Sequence, residues 1–402
     1  MPVKLPNLHS ISVKYPDLLF ARLYYLAYMG GSGFINPFVN LFYVSLNFSG
    51  KQIGTIASTS SIVGLFAAPL LVNRIKKHPR ARSFLQLALA LGALAYFAIG
   101  QQSSYLPVIL LITLQALAIS GISPISDAMA VSISRVTDAG YGSIRVFGSL
   151  GWIFMVPISG WVVQRWGLQS GFSGVSLAWL CAAGLVFFIS AQHFTSQTQG
   201  QPQTNLRVSF GKVFHNRTLF GFAIAIVAIG FLNNGVLQFE NVFLSRLGAS
   251  KQLISIAGIM GAIVELPFML ISDRIMRRMG PHPMLLVALT LTCLQRVTVL
   301  LLPSIATIMV VRFIGGMAFS LYTISFIGLI SSNTEAHETG TILALYTVTL
   351  GSLVNIVASP LMGELYDLIG PRWLYAFSAS GYAIAVASLW ITRPKRAEAG
   401  VV

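Results

Sequence analysis

Residues 218–244 read TLFGFAIAIVAIGFLNNGVLQFENVFL, a run of 27 positions with a single charge, Glu240. One helical crossing of a bilayer core takes about 20 predominantly apolar residues. The run is long enough to span and too apolar to face water. Eleven more segments read the same way: 18–45, 51–72, 84–100, 105–133, 143–163, 171–190, 252–272, 284–302, 304–331, 341–363 and 373–391. Of 402 residues, 55% are apolar and 9% charged, where a soluble domain carries about 25% charge. Length alone would allow two or three soluble domains. The composition instead predicts an all-α membrane protein of twelve transmembrane helices.

The formal net charge is +15, which in a soluble protein would suggest a nucleic-acid partner. Its distribution points elsewhere. Of the 26 Lys and Arg, 18 fall on one side of the spans, among them Arg74, Lys76, Lys77, Arg274, Arg277 and Arg278. Five fall on the other side, and three (Arg145, Arg296 and Arg312) lie within spans. The positive-inside rule then places both termini and the central loop in the cytoplasm, with the chain in a plasma (inner) membrane. The lipid bilayer, not nucleic acid, is the expected partner. Cys181 and Cys293 lie in apolar spans as buried, unpaired thiols, and no zinc spacing exists, so no metal and no other cofactor is expected. No apolar run leads into a small-residue cleavage site before span 1, which therefore reads as the first anchor.

An internal repeat sets the architecture. Laid over 245–294 without a gap, residues 45–94 give thirteen identities, including Lys51-Gln52 with Lys251-Gln252 and Arg74-Ile75 with Arg274-Ile275. At an offset of 203, Gly148-Ser149-Leu150, Pro157, Gly160 and Gly167 recur as Gly351-Ser352-Leu353, Pro360, Gly363 and Gly370. Glycine destabilises a helix interior, so repeating its spacing implies a repeated need for close packing and bending. The reading is two parallel six-helix copies: 1–190, a cytoplasmic linker at 191–217, and 218–402. An even number of spans per copy preserves orientation. The linker is rich in Gln, Thr and Ser before turning basic. It is a flexible tether, either with a short surface helix at 207–217 or without one.

Both copies carry a basic turn after their second span: Asn73-Arg74-Ile75-Lys76-Lys77 and Asp273-Arg274-Ile275-Met276-Arg277-Arg278-Met279-Gly280. This resembles the loop signature of the major facilitator superfamily, which joins helices 2–3 and 8–9. The resemblance implies a gating role for Asn73, Arg74, Asp273 and Arg274. Asn73 stands where an acid is usual and Pro69 where a glycine is usual, which weakens a gating salt bridge in the first half. A second segment, Tyr141-Gly142-Ser143-Ile144-Arg145-Val146-Phe147-Gly148-Ser149-Leu150-Gly151-Trp152, is similar to the fifth helix of lactose permease and related proton symporters for sugars, nucleosides and aromatic acids. In that family a helix-4 acid precedes the helix-5 arginine by eighteen residues, and Asp127 and Arg145 keep that separation. The resemblance implies that Arg145 hydrogen-bonds substrate, that Asp127 orients it or shares the site, and that Trp152 stacks on a ring. Arg296 falls near the helix-9 arginine of lactose permease and joins this set. One departure concerns helix 10, where lactose permease has a His and a Glu for its proton chemistry. Here the stretch reads Arg312-Phe313-Ile314-Gly315-Gly316-Met317-Ala318-Phe319, so a proton route uses other acids or coupling is absent.

A charge at mid-bilayer costs about 3 kcal/mol even on lenient scales, so charges inside spans usually face a cavity and have a task. Asp127 with Arg145 is either a substrate site or a structural pair pinning helices 4 and 5. Glu265 lies mid-span beside Pro267, where a desolvated carboxyl suits a group that loads and releases a proton. Its alternative is a packing acid paired with Arg296. Glu240 is a second proton-coupling candidate, or it reaches interfacial water near the outer end of its span. Arg312 is placed to cross helix 10 and neutralise one of these acids. Met29-Gly30-Gly31-Ser32-Gly33 with Asn36-Pro37 predicts a bendable, cavity-lining helix 1 or ordinary glycine packing. Tyr24, Tyr25 and Tyr28 either hydrogen-bond a substrate or mark a membrane edge.

These features predict a monomeric secondary active transporter. It would move a small polar or ring-bearing solute (sugar, nucleoside or aromatic acid) by alternating access with proton symport, Asp127, Arg145 and Trp152 facing Glu265 and Arg296. The alternative is proton-driven efflux of drugs or metabolites. No Walker motif links the chain to ATP. No Gly-x-Ser-x-Gly or metal-ligand cluster supports an enzyme, and no loop holds the extra domain of a non-transporting receptor.

Overall fold

The structure, a computed structural model, describes residues 15–75, 80–137, 139–195, 211 and 213–393. Every regular element among them is helical: α1 Pro16–Ile35, α2 Val39–Ser45, α3 Gly50–Ile75, α4 Ala81–Gly100, α5 Tyr105–Ile119, α6 Ile122–Val136, α7 Tyr141–Trp166, α8 Gln169–Val186 and the short α9 Gln192–Thr195. Then come α10 Arg217–Leu232, α11 Asn234–Arg246, α12 Lys251–Met279, α13 Pro281–Leu301, α14 Ile305–Ser332 and α15 Ala336–Ala344. A π turn at Leu345–Leu350 leads into α16 Gly351–Ile369, and α17 Leu374–Ile391 completes the set. Local chemistry starts these helices. Ser250 and Ser304 accept the Leu253 and Thr307 amides at 3.2 and 3.1 Å, and Asn216 caps Thr218 and Leu219 at 3.0 and 3.1 Å. Such caps satisfy amides that have no partner within the first turn.

Ten stretches among the described residues are long and apolar enough to cross a membrane, and they fall at ten of the twelve predicted positions. The first two positions hold α1 with α2, and α3. Both are helical, but they are rich in Gly, Ser and Tyr or Thr and fall outside those ten. The surface is a lipid surface. Leu106, Leu114, Phe187 and Leu270 are exposed, Leu270 at 82%, while Ser159, Ser255, Ser320, Ser359 and Ser378 are completely buried. In water such contiguous exposed apolar area would drive aggregation, and small polar residues between helices are how membrane helices pack. The chain is an integral, multi-pass membrane protein.

Two compact units emerge, Met1–Val39 with Phe66–Gln201 and Asn40–Leu65 with Pro202–Val402. In the first, α1 lies against α7 and α8. A side chain on Gly151 would collide with the Leu26 carbonyl, and one on Gly30 would come within 3.1 Å of the Gly151 carbonyl. α1 runs unbroken through Met29–Gly33 and the chain turns only at 36–38. The glycine run thus serves close packing, and the break follows it. At the other end of α1, Asp17 accepts the Ser190 amide at 3.0 Å and lies 3.2 Å from His193 Nε2, whose Nδ1 is 3.0 Å from Ser132 Oγ. This buried chain docks the start of the central linker, of which residues 196–210 and 212 lie outside the described ones.

In the second unit, residues 40–65 join α10–α17, although the sequence repeat counts them with the first copy. Backbone contacts explain the grouping. Asp367 accepts the Gly50 and Lys51 amides at 2.7 and 3.1 Å, and Lys51 pairs with Glu364 at 3.2 Å. Gly50 and Gly363 meet without room for a Cβ on either. A polar chain continues inward: Asn234 donates to Asn355 at 2.6 Å, Asn355 donates to Ser61 at 2.6 Å, and Gln238 donates to Asn234.

The repeat is visible in three dimensions. α7 and α16 each carry an internal proline and end on Gly167 and Gly370, at φ 83° and 80°, with amides returning to Val163 and Tyr366 carbonyls at 3.0 and 2.9 Å. With ψ 171° at both, this positive-φ region is essentially open to glycine alone and costs other residues roughly 1–3 kcal/mol, which is why glycine recurs at both ends.

Candidate functional site

In the first unit, Asp127 on α6 is half-buried and accepts the hydroxyls of Tyr25 and Tyr141, each at 3.0 Å on Oδ1, with Ser123 at 3.4 Å on Oδ2. Arg145 on α7 lies over the Tyr25 ring, 5.4 Å from its centroid, with one guanidinium nitrogen 3.7 Å from the Met29 sulfur. Asp127 and Arg145 do not pair directly among the described residues; they meet on the two faces of one tyrosine, its hydroxyl and its ring. Trp152 is half-buried two turns further along α7 and packs against Gly33. An aromatic wall continues from the pair. Tyr24 bonds Ser126 at 2.5 Å and stacks on Tyr28, whose carbonyl accepts the Trp179 indole N–H at 3.1 Å.

The second unit holds a cluster on α11, α13, α14 and α17. Glu240 Oε2 takes Nε and Nη2 of Arg312 at 2.8 and 2.6 Å. Its Oε1 accepts the Tyr375 hydroxyl at 2.7 Å and lies 3.5 Å from Arg296 Nη1. Arg312 Nη2 also donates to Asn241 at 2.7 Å, and Arg296 sits 5.9 Å from the Tyr375 ring centroid. The plan of the first unit therefore recurs: a tyrosine gives its hydroxyl to an acid and its ring to an arginine. Guanidinium over an aromatic face is favourable, and more so when desolvated. The three charged side chains are 14–17% exposed, so Glu240 is held inside the unit by arginines and does not reach interfacial water.

Glu265 is half-buried on α12. Its carbonyl accepts Ser320 Oγ at 2.9 Å, and Gly316 of α14 lies close against its backbone. Its carboxylate forms no ion pair among the described residues. Arg296, the partner weighed from sequence, turns to Glu240 instead. Asp273 and Arg274 are exposed near the end of α12. Asn73 and Arg74 lie in the last turn of α3, and their side chains fall outside the described ones. Cys293 is half-buried, whereas Cys181 is exposed on the outer face and not buried as expected; α8 turns it away from the packed side. Among the described residues no group of three His, Cys, Asp or Glu could hold a metal.

Sequence reading missed Tyr375, Asn241 and the bridging roles of Tyr25 and Tyr141. One signal was available: Asn241 is a second polar residue directly beside an intramembrane acid. Tyr375 offered none, because tyrosine near a membrane edge is common.

Apolar helices that cross a bilayer, built as a duplicated set around interior acid–tyrosine–arginine groups, define a multi-pass membrane transporter of the major facilitator fold. The chain belongs to the MFS_1 like family, whose profile matches residues 18–377. It is 24% identical over 366 residues to the uncharacterized transporter YwbF of Bacillus subtilis (strain 168), covering 90% of each chain. It is 30% identical over 243 residues to a maltose permease of Geobacillus stearothermophilus, covering 60% of each. The crystal structure of the nucleoside transporter NupG superposes with a TM-score of 0.77 at 16% identity, over 94% of this chain and 100% of that one. A bacterial homologue of the iron transporter ferroportin, in an inward-facing state, gives 0.73 at 13% identity over 97% and 100%. The structural likenesses show the fold alone. All of these proteins are transporters rather than enzymes.

Proposed function

We propose that this chain is a proton-coupled symporter of a small polar or ring-bearing solute, working by alternating access in a plasma membrane with both termini cytoplasmic. One observation carries the reading: each unit holds an acid and an arginine on a shared tyrosine inside membrane helices. Burying such groups without a task is unfavourable. The 30% identity to a maltose permease supports a polar solute. Asp127, Arg145, Trp152 and Arg296 bind it in this reading. Glu240, gripped by Arg312, serves as a standing counter-ion. Glu265, which has no ion-pair partner among the described residues, takes and releases the proton. Asn73, Arg74, Asp273 and Arg274 act at the cytoplasmic gate.

The test is uptake of sugars, nucleosides and aromatic acids by cells or proteoliposomes under an imposed proton gradient. An uncoupler should abolish accumulation, and Glu265→Gln should abolish it while keeping ligand binding. Full accumulation in both cases rejects proton coupling through this residue. Proton-driven loss from preloaded vesicles, without entry, would turn the reading to efflux.

A further inference from the structure

The charges of the second unit's cluster do not balance. α11 contributes one carboxylate, Glu240, and α13 and α14 contribute two guanidiniums, Arg296 and Arg312. Arg312 is gripped along one edge: Nε and Nη2 close on one oxygen of Glu240, and Nη2 reaches Asn241 as well. The other oxygen of Glu240 is taken by Tyr375 at 2.7 Å, and Arg296 approaches it only to 3.5 Å. Arg296 also meets the Tyr382 side chain, but its Nε is buried and has no hydrogen-bond partner among the described residues. Glu265, the unit's other interior acid, forms no ion pair with it among the described residues. Arg296 is therefore a surplus cation with an unused donor, oriented by an aromatic ring at 5.9 Å, on a side chain 15% exposed and so still reachable.

We propose that Arg296 is the binding point for a carboxylate carried by the transported solute. This rests on the transporter reading and narrows it, from sugars, nucleosides and aromatic acids to the carboxylate-bearing members. A guanidinium presents two parallel N–H donors that match a carboxylate edge, and it is always charged. A carboxylate entering here supplies the missing negative charge at a guanidinium that Glu240 meets only at 3.5 Å. The Tyr375 ring beside it then suits an aromatic or ring-bearing acid.

The test uses the full-length protein in lipid nanodiscs and proteoliposomes. Solutes are offered as pairs that differ only in charge: benzoate and benzamide, 3-phenylpropionate and 3-phenylpropanamide, glucuronate and glucose, with uridine and maltose as further neutral probes. At least one acid should raise the melting temperature and accumulate tenfold or more over its neutral partner. Arg296→Gln should erase that preference while melting no lower than the wild type, because it removes an unbalanced charge. Arg296→Lys should keep part of the preference. A neutral partner handled as well as the acid, or an acid preference that survives Arg296→Gln, overturns the assignment. Accumulation of uridine or maltose but of no acid also overturns it and leaves the transporter reading standing. Accumulation of no solute at all counts against both.

Discussion

Replacing Glu240 by Gln asks whether one carboxylate keeps two arginines tolerable inside the membrane helices. The carboxylate receives Arg312 at 2.8 and 2.6 Å and Tyr375 at 2.7 Å, and it faces Arg296 at 3.5 Å. An amide of the same shape keeps the Tyr375 bond through its oxygen, yet leaves two guanidiniums with no counter-charge. Removing one partner of a buried pair costs about 3–5 kcal/mol, which is roughly a hundredfold to several-thousandfold in the folding equilibrium. Adding Arg312→Gln brings the cluster back to one surplus positive charge, the wild-type value, so most of that loss should return. Thermal melts of purified protein measure both steps. Glu240→Gln should melt several degrees below the wild type, and Glu240→Gln with Arg312→Gln should recover most of the difference. A single variant that melts with the wild type would refute the reasoning, as would a double variant no better than the single.

The first unit yields a companion experiment. Asp127→Asn with Arg145→Gln should fold and reach the membrane but fail in uptake, since Tyr25 can still hydrogen-bond an amide while the charges that would hold solute are gone; normal uptake would remove both residues from the site. For topology, a reporter fused at Thr204 should be active only inside the cell, as the 18-to-5 charge split requires, and activity outside would reverse the assigned orientation.

Helix positions and the duplication were legible because lipid imposes a length and a composition on every crossing. The match of Gly167 with Gly370 was legible, but its cause was not. The spacing reads as close packing, whereas a side chain at either would meet nothing within 4 Å and the positive φ is what calls for glycine. The pairing of charges was not legible. Glu240, Arg296 and Arg312 lie far apart in sequence on three helices, and Arg296 had two acids to choose between. Helix rotation decides such a choice, and apolar residues nearly all round a membrane helix leave little periodic signal to set it. Tyr25 shows the same limit. Three tyrosines at 24, 25 and 28 share an arc of about 100° on one side of the helix, and only packing against α6 and α7 shows which one joins Asp127 to Arg145.

The π turn at Leu345–Leu350 bears on how the last helices are aimed. An α-helix advances about 100° per residue, and a π turn accommodates one residue more than an α turn. It therefore works as a phase shifter between two anchors, Tyr346, whose hydroxyl donates to the Leu219 carbonyl at 2.8 Å, and Asn355, which joins Asn234 to Ser61. Without the extra residue, either anchor could be met only by swinging the other about a quarter-turn out of line. A one-residue deletion there would leave every side chain of α16 intact and still unfasten α3 from it.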